Sequence, residues 1–148
     1  TAERMSDLSK SKKYSISDIE RVKISKQFKA GYTDEKNCKS TIKEFFDDYG
    51  YPLDTHTSVA MSVANSNSTD NPMVVLSTAS PYKFPASVYG AITGKTENDA
   101  FTAAKKLEYT TACPIPEQIS LLKEKEVRFT KVIDKENILD TVLEFVKK

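Results

Sequence analysis

The sequence predicts an α/β protein in which most of the chain is helical and the helices surround a few strands of a sheet. Apolar residues recur at helical spacing in one segment, at Cys38, Ile42, Phe45, Phe46 and Tyr49. A continuous apolar run, Met73–Val74–Val75–Leu76, is typical of a strand buried on both faces of a parallel sheet. Alternating residues from Val127 to Ile133 predict another strand.

Length, charge and residue content exclude several classes of protein. The 148 residues amount to one domain or to part of a larger one. A formal net charge of +1 provides no bulk field to attract nucleic acid or an anionic membrane, so we expect neither partner. One histidine and two cysteines argue against a metal site and a disulfide framework. We expect a cytoplasmic protein, because the polar N-terminal segment lacks the apolar core of a signal peptide and is interpreted as a cut end.

The glycine content is low. The chain has 4 glycines where average usage predicts about ten. It contains no clustered glycine motif of the kind that brings backbone amides close to a phosphate. If the chain belongs to an enzyme with a phosphate-bearing cofactor, we expect another part of that enzyme to bind the phosphate.

The N-terminal half carries the clearest helix signals. Residues 1–16 show little periodicity and are predicted to be flexible, either frayed or helical only in the context of the whole protein. Ser17 and Glu20 have capping-box spacing, which indicates a short helix. Asp34 to Tyr49 is the strongest helix, with Thr33 or Asp34 able to cap its start and Gly50 placed to end it. Cys38 lies on its apolar stripe, so we expect a small core residue there rather than a reactive thiol.

Further helices are predicted over 57–64, over 86–92 after Pro85, and over 97–107. The end of the chain then indicates a helix, a strand and a helix. Pro116 can open the first of these helices, and Asp134 can cap the last. The apolar stripe of the last helix is predicted to pack in a core; its residues are Ile138, Leu139, Val142, Leu143 and Val146.

Two polar clusters could carry chemistry. The first contains Asp54, His56 and Ser58, which invites comparison with a catalytic triad, but sequence neighbours rarely provide triad geometry. The favoured interpretation is a helix N-cap, by Asp54, Thr55 or Thr57. The second cluster, Ser77 to Pro85, follows the apolar run at the strand end where α/β proteins bind ligands. Taken alone, it is equally well an ordinary strand-to-helix loop.

Together the two clusters resemble threonine synthase. His56-Thr57-Ser58-Val59-Ala60 is similar to the family's Asp-Pro-His-Thr-Ala-Val-Ala, and the segment from Pro72 to Pro85 is similar to its apolar strand followed by Ser/Ala-Thr-Ala-His-Pro-Ala-Lys-Phe-Pro. Phe28-Lys29-Ala30-Gly31 also looks like the family's preceding segment. The resemblance is good over residues 25–92 and loose in the tail.

The resemblance implies the C-terminal part of a fold type II, tryptophan-synthase-β-like enzyme that uses pyridoxal phosphate (PLP). That family converts O-phosphohomoserine and water to threonine and phosphate. Thr78, with Ser77 as the second candidate, matches the hydroxyl that meets the cofactor's ring nitrogen. His56, Thr57 and Lys83 match residues expected in the wall of the substrate pocket.

The chain departs from the family pattern at several points. Thr55 stands where the family usually has proline, and Ser58 where it usually has alanine. Ser80 stands where the family usually has histidine, which puts any role of that imidazole in doubt. The Schiff-base lysine, which the family carries in a Phe-Lys-Asp setting, has no counterpart here. The isolated chain is therefore expected to be inactive and to bind no cofactor.

The implied organisation is one C-terminal segment of a longer enzyme. Residues 17–112 are expected to belong to the large PLP domain and 113–148 to a C-terminal helix–strand–helix, and the rest of the parent chain is the expected partner. Two alternatives stay open. One is a non-catalytic interaction module on the same scaffold, and the other is a related PLP-dependent phospho-lyase.

Overall fold

The computed structural model describes residues 2–67 and 69–147, in which all of the regular secondary structure is helical. Thr1, Ser68 and Lys148 lie outside the described residues, as do the parts of the predictions that fall on them. The helices are α1 (Ala2–Ser11), α2 (Asp18–Gln27), α3 (Glu35–Tyr49), α4 (Thr55–Ser66), α5 (Pro85–Thr93), α6 (Ala100–Thr111), α7 (Glu117–Ser120) and α8 (Ile138–Val146). Short 3₁₀ turns lie at Pro81–Lys83, Leu121–Glu124 and Lys135–Asn137.

The chain divides into two compact units, Thr1–Cys113 and Pro114–Lys148. In the first unit α3 packs on α4 and on α5, and α5 packs on α6. The centre of this packing contains Ile42 of α3, Val88 of α5 and Leu107 of α6, none of which retains exposed surface. Helix α3 is therefore the common support on which α4 and α5 both pack.

The predicted start and end signals of α2 and α3 are confirmed. Ser17 and Glu20 form the reciprocal capping box of α2. The amide of Ser17 and the guanidinium of Arg4 lower the pKa of the Glu20 carboxyl to about 2. Asp34 accepts a hydrogen bond from the Asn37 amide at the start of α3, and Gly50 ends that helix with a φ of 67°. A left-handed residue at this position favours glycine because a Cβ would clash with the backbone.

Helix α6 begins later than predicted. Asp99 accepts a hydrogen bond from the Thr102 amide at 2.8 Å, so the helix starts at Ala100 rather than at Glu97. It continues to Thr111 and ends at Ala112, which has a φ of 55°. The sequence pattern located the helix correctly but missed the cap that sets its first residue.

The two predicted strands do not form among the described residues, so the sheet in the predicted α/β fold is not confirmed. Met73–Leu76 and residues 127–133 have no regular secondary structure. Val74 and Leu76 expose 84% and 76% of their surface. The physical reason is that a strand satisfies its backbone amides and carbonyls only through a neighbouring strand, and the described residues offer none.

The prediction that the apolar stripe of α8 packs in a core is wrong for this chain. In the second unit, none of the described residues is buried. All five stripe residues are exposed. Asp134 precedes the 3₁₀ turn that leads into α8, but its side chain makes no capping hydrogen bond. The stripe has the correct period for packing, yet no described residue of this unit covers it enough to bury any of the five side chains.

Deleting side-chain atoms at Ile42 tests the centre of the first unit. Ile42→Ala should lower the free energy of unfolding by about 2–5 kcal/mol, and Ile42→Val by about 0.5–1.5 kcal/mol, because each leaves a cavity of a different size. Urea unfolding of both variants measures the difference. Equal losses, or none in either variant, would contradict the central position of this side chain.

Candidate functional site

Asp54 caps the first turn of α4. Its buried carboxylate accepts hydrogen bonds from the backbone amides of His56 at 2.8 Å and Thr57 at 3.3 Å. The Thr57 hydroxyl donates to the same carboxylate. The N-cap interpretation of this cluster is therefore confirmed, and Asp54 is the capping residue among the candidates. A buried charge is tolerated here because three donors surround it.

The residues of the triad comparison do not assemble. His56 Nδ1 lies 3.5 Å from Asp54 Oδ1, and its side chain is 59% exposed. The Ser58 hydroxyl instead donates to the Thr55 carbonyl at 2.8 Å. It also lies 2.9 Å from Cys38 Sγ. A nucleophile must reach its base at hydrogen-bond distance, and Ser58 is engaged on the opposite, buried side of the helix.

Cys38 is a buried core residue, as the sequence predicts. Only 7% of its surface is exposed. Its sulfur contacts the hydroxyl of Ser58, the residue that replaces the alanine usual in the family motif. The polar change on α4 is thus matched by a polarizable partner on α3.

Thr57 connects α4 to the segment that follows the apolar run. Its Oγ1 lies 3.3 Å from Ser77 Oγ. Thr57 is buried, whereas Ser77 is exposed. The contact brings together two residues that were predicted in separate motifs and that lie 20 positions apart.

Thr78 is exposed, and its side chain makes no hydrogen bond with the described residues. The preceding residues, Met73 to Leu76, form one wall of an apolar groove of about 770 Å³. Residues of α4 also line the groove, together with the end of α2 and the segment between α2 and α3. Lining residues include Phe28, Gly31, His56, Val59, Ala60 and Val63. Leu76 is the last residue of this segment that lines the groove, and Thr78 is not among the lining residues.

His56 and Lys83 share the ring of Phe84. The His56 and Phe84 ring centroids are 5.7 Å apart. Lys83 Nζ lies 5.6 Å from the Phe84 centroid, at a distance typical of a cation–π contact. Phe84 belongs to the second motif, but the sequence alone does not predict it as a site residue. Its contact with His56 depends on the position of α4, which the sequence pattern does not give.

The segment from Ser77 to Phe84 is anchored at its far end. Ser80 Oγ accepts a hydrogen bond from the Tyr82 amide at 3.2 Å and caps the 3₁₀ turn. The Tyr82 side chain is buried and its hydroxyl donates to the Cys113 carbonyl. Burial raises the pKa of the Tyr82 phenol. Ser80, which replaces the histidine of the family pattern, therefore serves the turn.

Neither a metal site nor a membrane-spanning helix occurs among the described residues. Across residues 2–67 and 69–147, no three His, Cys, Asp or Glu side chains converge as a metal site would require. In the same ranges no helix combines the length and the apolar character needed to cross a bilayer.

Comparison with known proteins identifies the family. The family model described as threonine synthase, C-terminal, matches residues 57–146, which is more than half of the chain. The chain belongs to the threonine synthase C-terminal family. The resemblance carried by the two motifs is thereby confirmed.

Two threonine synthases illustrate the similarity. The enzyme from Methylobacillus glycogenes is 37% identical over 71 residues, which are 47% of this chain and 15% of that protein. A crystal structure of PLP-bound threonine synthase from Brucella melitensis matches with a TM-score of 0.72 at 28% identity. The match covers 99% of this chain and 27% of that chain. The chain thus spans about a quarter of the solved structure it matches.

Removing the Asp54 carboxylate tests the cap of α4. Asp54→Ala should cost about 1–2 kcal/mol of unfolding free energy, because two amides and a hydroxyl lose their acceptor. Asp54→Asn should cost less, since an amide oxygen still accepts from the backbone. Urea unfolding measures both. Asp34→Ala is the control, because Asp34 caps α3 from an exposed position. Equal costs for Asn and Ala at position 54 would contradict the capping role.

Proposed function

We propose that this chain is the C-terminal part of a PLP-dependent threonine synthase that converts O-phosphohomoserine and water to threonine and phosphate. Support comes from the family match over residues 57–146 and from the likeness of nearly the whole chain to part of a PLP-bound threonine synthase. In this proposal residues 17–112 belong to the large PLP domain, residues 113–148 form the C-terminal helix–strand–helix, and the protein acts in the cytoplasm.

The proposed contribution of this chain to the cofactor site is a hydroxyl donor. PLP, when bound, supplies the electron sink for carbanion chemistry. Thr78 fits the ring-nitrogen contact because its hydroxyl is exposed and has no hydrogen-bond partner among the described residues. A neutral hydroxyl can donate to a heterocyclic nitrogen without holding a proton on it, as a carboxylate partner would. Ser77 remains the second candidate.

His56, Thr57 and Lys83 are proposed for the substrate pocket. His56 and Lys83 contact the same ring, that of Phe84, so they lie on one surface. Thr57 lies beneath that surface and touches Ser77. An ammonium group and an imidazole on one surface suit an anionic substrate such as a phosphate ester.

The apolar run Met73–Leu76 is proposed to become a strand when the rest of the protein is present. Its residue types favour strands, three of its four side chains are exposed here, and it leads directly to Ser77 and Thr78. We extend this proposal to residues 127–133 and to the α8 stripe, whose exposed apolar side chains the rest of the protein would cover. Contiguous exposed apolar surfaces normally mark contacts with another part of a protein.

Cofactor trapping tests which part of the protein carries the anchoring lysine. When the full-length protein is incubated with PLP, it should develop an absorbance band near the edge of the visible range that corresponds to one cofactor per protein chain. Borohydride should then attach this cofactor permanently to the protein. The isolated chain should give no such band, because it lacks the Phe-Lys-Asp sequence. A stoichiometric, trappable band on the isolated chain would contradict the proposed division. Release of inorganic phosphate from O-phosphohomoserine by the full-length protein tests the reaction.

Thr78→Val in the full-length protein should weaken PLP binding about fivefold or lower turnover by a similar factor, since one hydrogen bond contributes about 1 kcal/mol. Thr78→Ser should retain most of the affinity because it keeps the hydroxyl. Thr102→Val, an exposed threonine on α6, is the matched control and should bind normally. Unchanged affinity and turnover in Thr78→Val would remove Thr78 from the site.

A further inference from the structure

Asp54, Thr57 and Ser77 form a continuous line of contacts from the core to the end of the apolar run. The Thr57 hydroxyl donates to the Asp54 carboxylate, and the two hydroxyl oxygens of Thr57 and Ser77 lie 3.3 Å apart. Asp54 and Thr57 are 2% and 4% exposed, so water has little access to either. Ser77, at the outer end, is exposed.

The available protons set the direction of this line. The Thr57 hydroxyl has one proton, which points at two acceptors, the Asp54 carboxylate and Ser77 Oγ. Ser77 therefore accepts from Thr57 and keeps its own proton, which it donates to the Ala79 carbonyl at 3.4 Å. The Ser77 proton is thus used within the protein, whereas the Thr78 hydroxyl makes no hydrogen bond with the described residues.

We propose that Asp54 and Thr57 act as positioning residues that fix Ser77 and leave Thr78 as the donor to the cofactor's ring nitrogen. This inference rests on the proposed function and decides between its two hydroxyl candidates. Thr57 acts through Ser77 and does not touch the cofactor. The Asp54 carboxylate thus has two tasks, because the same group that caps α4 also orients the Thr57 hydroxyl.

A second hydroxyl pair provides a matched comparison. Ser62 Oγ of α4 lies 3.3 Å from Thr33 Oγ1, the same separation as in the Thr57–Ser77 pair. Thr33 precedes α3, and its side chain forms no hydrogen bond with the described residues of the Ser77 segment. Thr33→Val therefore removes an equivalent contact of α4 without changing the line that leads to Ser77.

The test is a double-mutant cycle in the full-length protein. Thr57→Val, Ser77→Ala, the double variant, Thr57→Ser and Thr33→Val are prepared without cofactor and titrated with PLP. Thr57→Val should weaken PLP binding about fivefold, whereas Thr57→Ser should restore the affinity for PLP. The double variant should bind PLP no more weakly than whichever single variant has the lower affinity. Thr33→Val should bind as the wild type does. Urea unfolding of the same cofactor-free proteins completes the cycle.

Three results would overturn parts of the proposal separately. Wild-type affinity in Thr57→Val would show that the hydroxyl line does not serve the cofactor. Effects of Thr57→Val and Ser77→Ala that simply multiply, in both PLP binding and unfolding, would show that the two residues are not coupled. A wild-type full-length protein that binds no PLP would overturn the proposed function and the role of Thr78, while the unfolding cycle would still report on the Thr57–Ser77 coupling.

Discussion

The carboxylate of Asp54 holds the first turn of α4, and that turn carries His56 and Thr57. Through Thr57 the same carboxylate reaches Ser77, and through His56 the turn meets Phe84. The two motifs, separated in sequence by a helix and a loop, therefore meet around one buried acceptor. A helix N-cap is normally a local device, but here its side chain also organises contacts with a distant segment.

The helices and their caps could be predicted because their causes are local. Ser17 and Glu20 satisfy each other's backbone amides, and Gly50 takes a left-handed conformation that other residues adopt at a cost. Asp54 was one of three candidate caps, since neighbouring polar residues offer the same oxygen at nearly the same position. Only the structure distinguishes Asp54 from Thr55 and Thr57, because it shows which residue has an extended backbone and accepts hydrogen bonds from the first amides of α4.

The strands, the α8 stripe and the distances in the site could not be predicted with the same success, because they depend on surfaces far away in the chain. The composition of Met73–Leu76 favours a strand, but a strand also requires a neighbour. Whether His56 meets Phe84 depends on how α4 and α5 both pack on α3. The family motifs located the relevant residues without indicating which of them touch.

The exposed run Met73–Leu76 also affects how such a segment behaves when it is kept apart from its remainder. Short β-branched and apolar stretches with free backbone groups pair readily with identical stretches on other molecules. Val74 and Leu76 display this combination openly, and the segment bears no charge. Self-association into intermolecular sheets is therefore a hazard intrinsic to this piece of the protein, and coverage by complementary strands would suppress it.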